Sequence, residues 1–235
     1  RCRRFRRISF LSSFRVVGVN CAVQPFTPSK RVASCHSASP MTPSTFGVLP
    51  RNACNSRGHS PATAEAVISM VPDAPDVREV LLGADGAASR ARDGLVAIDM
   101  STILPAAARQ IAIELAAQGI DFLDAPVSGG EPGAIAGSLT IMVGGSAAAF
   151  ARAAPLFRCM GKTIVHVGDS GAGQVAKAAN QIVTGVGVLT VAEALNFARR
   201  NGVDPAKVRE ALMGGSASSR ILDNHGQRML ERNFS

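Results

Sequence analysis

The chain of 235 residues contains neither Trp nor Tyr, and its only aromatic side chains are ten Phe. Any core must therefore be aliphatic, built from Ala, Val, Leu and Ile around those Phe. No apolar run reaches about 18 residues without a charge or a breaker, so no membrane span is read from the sequence. Acidic residues are missing from residues 1–64, which hold ten Lys and Arg. Of the 25 basic residues, the remaining 15 face all 17 acidic ones in residues 65–235, a net of −2. The overall charge of +8 thus belongs to the first quarter of the chain. Cysteine divides the same way: Cys2, Cys21, Cys35 and Cys54 lie early and only Cys159 follows. None of these forms paired C-x-x-C spacing, and His36, His59, His166 and His225 lack metal-ligand or triad spacing, so no metal site is expected.

Residues 1–60 show no sustained period of 2 or 3.6, and Pro, Ser and Arg punctuate them throughout. Four readings fit. A transit peptide is Arg- and Ser-rich and poor in acids. A nucleic-acid arm would use Arg1, Arg3, Arg4, Arg6 and Arg7. Plain disorder and out-of-frame translation of a GC-rich coding region give similar compositions. A start at Arg rather than Met points to a fragment. No G-x-G-x-x-G occurs in this stretch, so the first βαβ unit of a dinucleotide-binding domain is missing or corrupted there.

From Ala66 the pattern changes. Short apolar runs read as strands over 66–71, 94–100, 120–125, 138–143 and 162–167. Between them, helices are predicted at 77–82 with Asp76 as cap, at 105–118 with Pro105 near its start, and at 147–160. Apolar strands alternating with helices predict a Rossmann-like parallel sheet covered on both faces. Ligands of such sheets bind beyond the carboxyl ends of the strands, which singles out 72–75, 101–102, 126–130 and 168–173. Residues 174–200 then predict one long helix, and helices at 205–213 and 218–230 follow. The expected organisation is an irregular segment (1–65), a partial dinucleotide-binding domain (66–173), and an interdomain helix entering a truncated all-α domain (174–235). One Cys and no signal within that body suit a reducing cytoplasm.

Three segments carry candidate chemistry. Gly171-Ala-Gly173-Gln-Val-Ala176 fits G-x-G-x-x-A, but no second strand follows and Glu193 falls inside the long helix. Its glycines are better read as allowing close approach of the helix start to a ligand or to the sheet. Lys177, one turn into that helix, has only apolar sequence neighbours and is either a solvated lysine or a desolvated general acid. Asn180 follows on the same face at i+3. Ser128, Gly129 and Gly130 offer a hydroxyl and backbone N–H groups for an anion such as a carboxylate, or form an ordinary turn.

The stretches IDMSTILP (98–105), DAPVSGGEPGAIAGSLTIMVGG (124–145) and GAGQVAKAANQ (171–181) make the chain resemble the β-hydroxyacid dehydrogenase family, which includes 3-hydroxyisobutyrate dehydrogenase. The resemblance covers Ala66 to Phe234. Gly130-Glu131-Pro132 and residues 214–234 bring it nearest to the 2-hydroxy-3-oxopropionate reductases, with 3-hydroxyisobutyrate dehydrogenases as the alternative. It implies a homo-oligomeric oxidoreductase using NAD or NADP on a small hydroxy- or oxo-acid, with no nucleic-acid or membrane partner. It further implies Lys177 as the catalytic proton donor and Asn180 orienting the substrate beside it. Ser128, Gly129 and Gly130 would hold the substrate carboxylate, while Val71, Pro72 and Thr102 would line the cofactor. Members begin with a Gly-rich phosphate loop and continue past the equivalent of Ser235. Neither part is visible here, so weak cofactor binding, or a non-catalytic oligomerising fragment, is the accompanying expectation.

Overall fold

The computed structural model describes residues 64–91 and 93–233. All four readings of residues 1–60 lie outside the described residues. Within them, packing divides the chain into two units between Lys177 and Ala178.

The first unit is built on strands β1 (Ala66–Ser69), β2 (Val96–Asp99) and β3 (Asp121–Asp124), joined by helices α1 (Ala74–Leu82) and α2 (Pro105–Ala116). These strands pair in parallel in the order β1-β2-β3, with Ser69 opposite Asp99 and Asp99 opposite Asp124. Consecutive residues of β2 face opposite ways, as the period of 2 requires. Val96 and Ile98 join one buried cluster with Leu123 of β3 and Phe157. Leu95 and Ala97 join another with Val77 and Leu81 of α1, Ala108, Ile111 and Leu115 of α2, and Phe122. Both faces are therefore covered, which explains why these strands read as continuous apolar runs rather than alternating ones.

Beyond β3 the structure departs from an all-parallel sheet. A two-residue strand β4 (Val127–Ser128) and a short helix α3 (Gly130–Ile135) come before β5 (Leu139–Gly144). Strand β5 runs antiparallel to β3 and β4. The connection from β3 is occupied by β4, which pairs antiparallel with β5, and by α3. Neither was predicted, because α3 opens on Gly130 and contains Pro132 and Gly133, all weak helix formers. Helix α4 (Ala147–Met160) then crosses to β6 (Gly161–Gly168), which pairs in parallel with β5.

The start of α1 also differs from expectation. Its cap is Asp73, whose Oδ1 accepts from the Ala74 N–H at 2.7 Å, rather than Asp76. Pro75 sits in the first helical turn, where no intrahelical N–H is needed.

Helix α5 (Ala172–Arg200) starts two residues before the predicted Gln174 and crosses the boundary between the units. In the second unit it is followed by α6 (Pro205–Met213), capped by Asp204, and α7 (Arg220–Leu230), capped by Ser219. A Cβ added at Gly187 would stand 2.7 Å from Ile221, so this glycine admits α7 against α5. By length and composition α5 would also cross a membrane, a property shared with helices of soluble proteins. The helix passes through Gly185 and Gly187 without interruption, as the prediction of one long helix over 174–200 required.

Candidate active site

The carboxyl ends of β1, β2 and β3 converge on a set of buried polar side chains. Ser69, Asp99, Ser101, Asp124 and Gln174 are each at most 2% exposed. Asp99 Oδ1 accepts from the Ser69 hydroxyl at 2.9 Å, the Ser101 hydroxyl at 2.7 Å and the Ser101 N–H at 3.3 Å. Its Oδ2 has no partner. Burial pushes the Asp99 carboxyl above its ordinary value, and the three hydrogen bonds oppose that rise only in part. Ser101 in turn accepts the Val71 N–H at 2.8 Å, fixing the loop that leaves β1.

Asp124 performs a similar task at the start of α5. Its two carboxylate oxygens accept the N–H groups of Gly171 at 2.6 Å and Gln174 at 2.9 Å. These donors would otherwise be unpaired at the helix N-terminus. Burial still raises the Asp124 carboxyl, against the pull of its backbone donors. In the G-x-G-x-x-A segment Gly173 makes the close approach anticipated from sequence, to the sheet, while Gly171 lies against Arg109 and Pro105 of α2. A Cβ on Gly173 would lie 2.4 Å from the Met142 carbonyl, and one on Gly144 would lie 2.5 Å from Asp124 Oδ1.

Lys177 is thereby aimed at β4. It is half-buried, and its Nζ donates to the Val127 carbonyl at 2.7 Å. Val127 immediately precedes the predicted carboxylate-binding residues Ser128, Gly129 and Gly130 in the chain. Lys177 is thus partly withdrawn from solvent. Burial lowers the ammonium below its ordinary value, with no acidic partner to restore it. Gly129 has φ 136° and Gly130 φ 61°, conformations that a side chain strains to adopt. Asn180 lies further along α5 in the second unit, where its amide donates to Gln181 at 3.1 Å.

Val71, Pro72 and Thr102 sit in the loops that leave the adjacent strands β1 and β2. Val71 is buried while Pro72 and Thr102 are exposed, so two loop tips flank one another on the edge where nucleotides bind such sheets. No Gly-rich phosphate loop follows β1 among the described residues. His166 plays a different part: its ring stacks on Phe150 at 4.9 Å, and Nε2 lies 2.7 Å from the Gly145 carbonyl. Sequence reasoning missed the polar layer of Ser69, Asp99, Ser101, Asp124 and Gln174. The available signal was an Asp near the end of each of two apolar runs, VAIDM and DFLDA.

Comparison with known proteins supplies the family. Residues 35–168 match the NAD-binding domain of 6-phosphogluconate dehydrogenase, starting ahead of Ala66, where the resemblance had been placed. Residues 171–235 match the NAD-binding domain of NADP-dependent 3-hydroxyisobutyrate dehydrogenase. The 2-hydroxy-3-oxopropionate reductase of Escherichia coli is 50% identical over 171 residues, covering 73% of this chain and 59% of that protein. The 3-hydroxyisobutyrate dehydrogenase of Pseudomonas aeruginosa is 46% identical over 160 residues, covering 68% and 54%. The crystal structure of a Salmonella typhimurium 3-hydroxyisobutyrate dehydrogenase superposes with a TM-score of 0.66 at 32% identity, covering 74% of this chain and 61% of that one. The chain thus spans less than two thirds of the length of these relatives. Half-identity to one member, with matching domains on either side of Gly168, leads to one conclusion: the chain belongs to the β-hydroxyacid dehydrogenase family of NAD(P)-dependent oxidoreductases.

Proposed function

We propose that this chain carries the reaction centre of a reductase converting tartronate semialdehyde (2-hydroxy-3-oxopropionate) to glycerate. The observation that carries the reading is Lys177, half-buried, depressed in pKa and hydrogen-bonded beside Ser128. The 50% identity to the Escherichia coli reductase favours this substrate over 3-hydroxyisobutyrate.

In this reading the reduced nicotinamide, when bound, supplies a hydride to the aldehyde carbon. Lys177 donates a proton from Nζ to the aldehyde oxygen as negative charge develops there, leaving a neutral amine and an alcohol. A proton from solvent restores the ammonium. The Val127 carbonyl holds Nζ in place before substrate arrives, so the donor needs little reorganisation. Ser128, Gly129 and Gly130 hold the substrate carboxylate, and Asn180 orients the substrate. Val71, Pro72 and Thr102 line the cofactor.

The test compares kcat/KM of the chain, with NADH, for tartronate semialdehyde and for 2-methyl-3-oxopropanoate, the aldehyde form of 3-hydroxyisobutyrate. A preference of about tenfold or more for the former, near 1.4 kcal/mol, is expected. Equal or reversed preference overturns the substrate, and turnover of neither by a folded chain overturns the activity. Removing Lys177 by Lys177→Ala should cost roughly 10²–10⁴ in kcat while leaving the fold intact. Because Lys177 acts as an acid, the rate falls as pH rises through its lowered pKa, sooner than an ordinary lysine would dictate.

A further inference from the structure

The side chain of Gln174 makes contacts that helix formation does not require. It lies at the start of α5, one turn before Lys177, and is 1% exposed. Its Nε2 donates to the Ser101 carbonyl at 2.8 Å, and its Oε1 accepts the Ile103 N–H at 3.1 Å. The C=O of residue i−1 and the N–H of residue i+1 are the pair that a neighbouring β-strand would engage. One planar amide therefore brackets Thr102 as a strand partner would. The backbone N–H of Gln174 meanwhile donates to Asp124, and the Ser101 hydroxyl links the same loop to Asp99 and to Val71.

We infer that Gln174 is a positioning residue that locks the Ser101–Ile103 loop to the first turn of α5, setting Thr102 in register with Lys177. The inference rests on the reading of Thr102 as a cofactor-lining residue. Its chemical content is narrow. The clamp needs one donor and one acceptor in a single group of this length, which Gln supplies at every pH. Ala or Met supplies neither. Glu supplies both only when protonated; ionised, it presents two acceptors, one of them facing the Ser101 carbonyl. A carboxyl placed there would also face Asp124 of β3 and, through Ser101, Asp99 of β2. Arg109 of α2, whose side chain lies close to Gly171, and Lys177 one turn on are the nearby cations.

The experiment follows backbone amide hydrogen exchange in the 235-residue chain and its Gln174→Ala, Gln174→Met and Gln174→Glu variants. Expected for Ala and Met is faster exchange of the Ile103 amide, by about tenfold if the lost hydrogen bond is worth roughly 1.4 kcal/mol, while Ile141 in β5 keeps its protection. Gln174→Glu should recover the Ile103 protection as the pH is lowered and lose it as the pH rises, a dependence the other two variants lack. In parallel, the calorimetric Kd for NADH should weaken in the Ala and Met variants and become pH-dependent in the Glu variant. Unchanged Ile103 exchange, uniform loosening of Ile103 and Ile141 together, or a Glu variant without pH dependence would each overturn the inference. Should Gln174→Ala or Gln174→Met fail to fold, the pH dependence of Gln174→Glu decides alone. A chain that shows the exchange pattern but never binds NADH overturns the cofactor reading and leaves the clamp standing.

Discussion

The two units of the chain are built from similar residues and enclose them very differently. Between Ala64 and Lys177, α1 and α2 cover one face of the sheet and α4 the other, producing two buried clusters with Phe157, Leu81, Ile98 and Ile111 fully enclosed. Among the described residues beyond Ala178, only Val191, Leu195 and Leu222 form a buried cluster. Ile182, Val183, Leu189 and Phe197 of α5 are each more than 60% exposed there. A sheet sandwiched by helices closes a core within one short stretch of chain, whereas three helices in sequence close only a seam. The polar layer follows the same division. All five of its buried side chains lie in the first unit, because only there is there enough apolar cover to exclude water from them.

The largest effect that can sharpen this contrast comes from Phe157→Ala. The ring is 0% exposed and lies in the cluster that includes Ile98 and Leu123. Its removal should cost about 3–5 kcal/mol, read as a drop in the denaturant midpoint of the first unit. Leu195→Ala in the second unit should cost less, about 2 kcal/mol, since the seam around Leu195 can collapse onto the cavity. Equal losses at both positions would break the comparison.

Much of this division is legible in the sequence. The bounds of α4 and α6 coincide with the predicted 147–160 and 205–213, since each has a clear polar or Asp-Pro start and an abrupt end. Strands β1, β2 and β3 fall within the predicted runs and are shorter than them by two or three residues. The antiparallel turn through β4 and α3 was not legible, because β4 has only two residues and α3 is built on Gly130, Pro132 and Gly133, all weak helix formers. Lys177 and Ser128 were legible as candidates through motif resemblance, but their proximity was not. It depends on Asp124 and Gly173, which seat α5 against the sheet through contacts between residues about fifty positions apart. Gln174 passed unnoticed because a single Gln in a helix start carries no sequence signal. Its role exists only once Ser101 and Ile103 are beside it.

A smaller effect should separate the units by pH. Burial holds the Asp99 carboxyl above its ordinary value near 3.9, so the native state binds more protons than the unfolded chain from that pH up to the raised one. Stability contributed by this group is therefore lost as pH rises through that window. In Asp99→Asn the Oδ1 acceptor for Ser69 and Ser101 remains while the titration is gone. Subtracting the unfolding free energy of the variant from that of the parent across acid to neutral pH should leave a difference that falls with rising pH. A flat difference would show that Asp99 titrates alike in both states.

The smallest expected effect is the most searching test of the contrast. Ile182 is 67% exposed on α5, so replacing it with Ser removes little buried surface from the chain by itself. The change in unfolding free energy should stay within about 0.5 kcal/mol, as for other surface substitutions away from special features. The same should hold for Phe197→Ser at 71% exposure. A loss of about 2 kcal/mol at either position would mean that these side chains are covered in solution. In that event the second unit owes its enclosure to surface outside residues 178–235, and the apparent poverty of its core is a property of those residues alone.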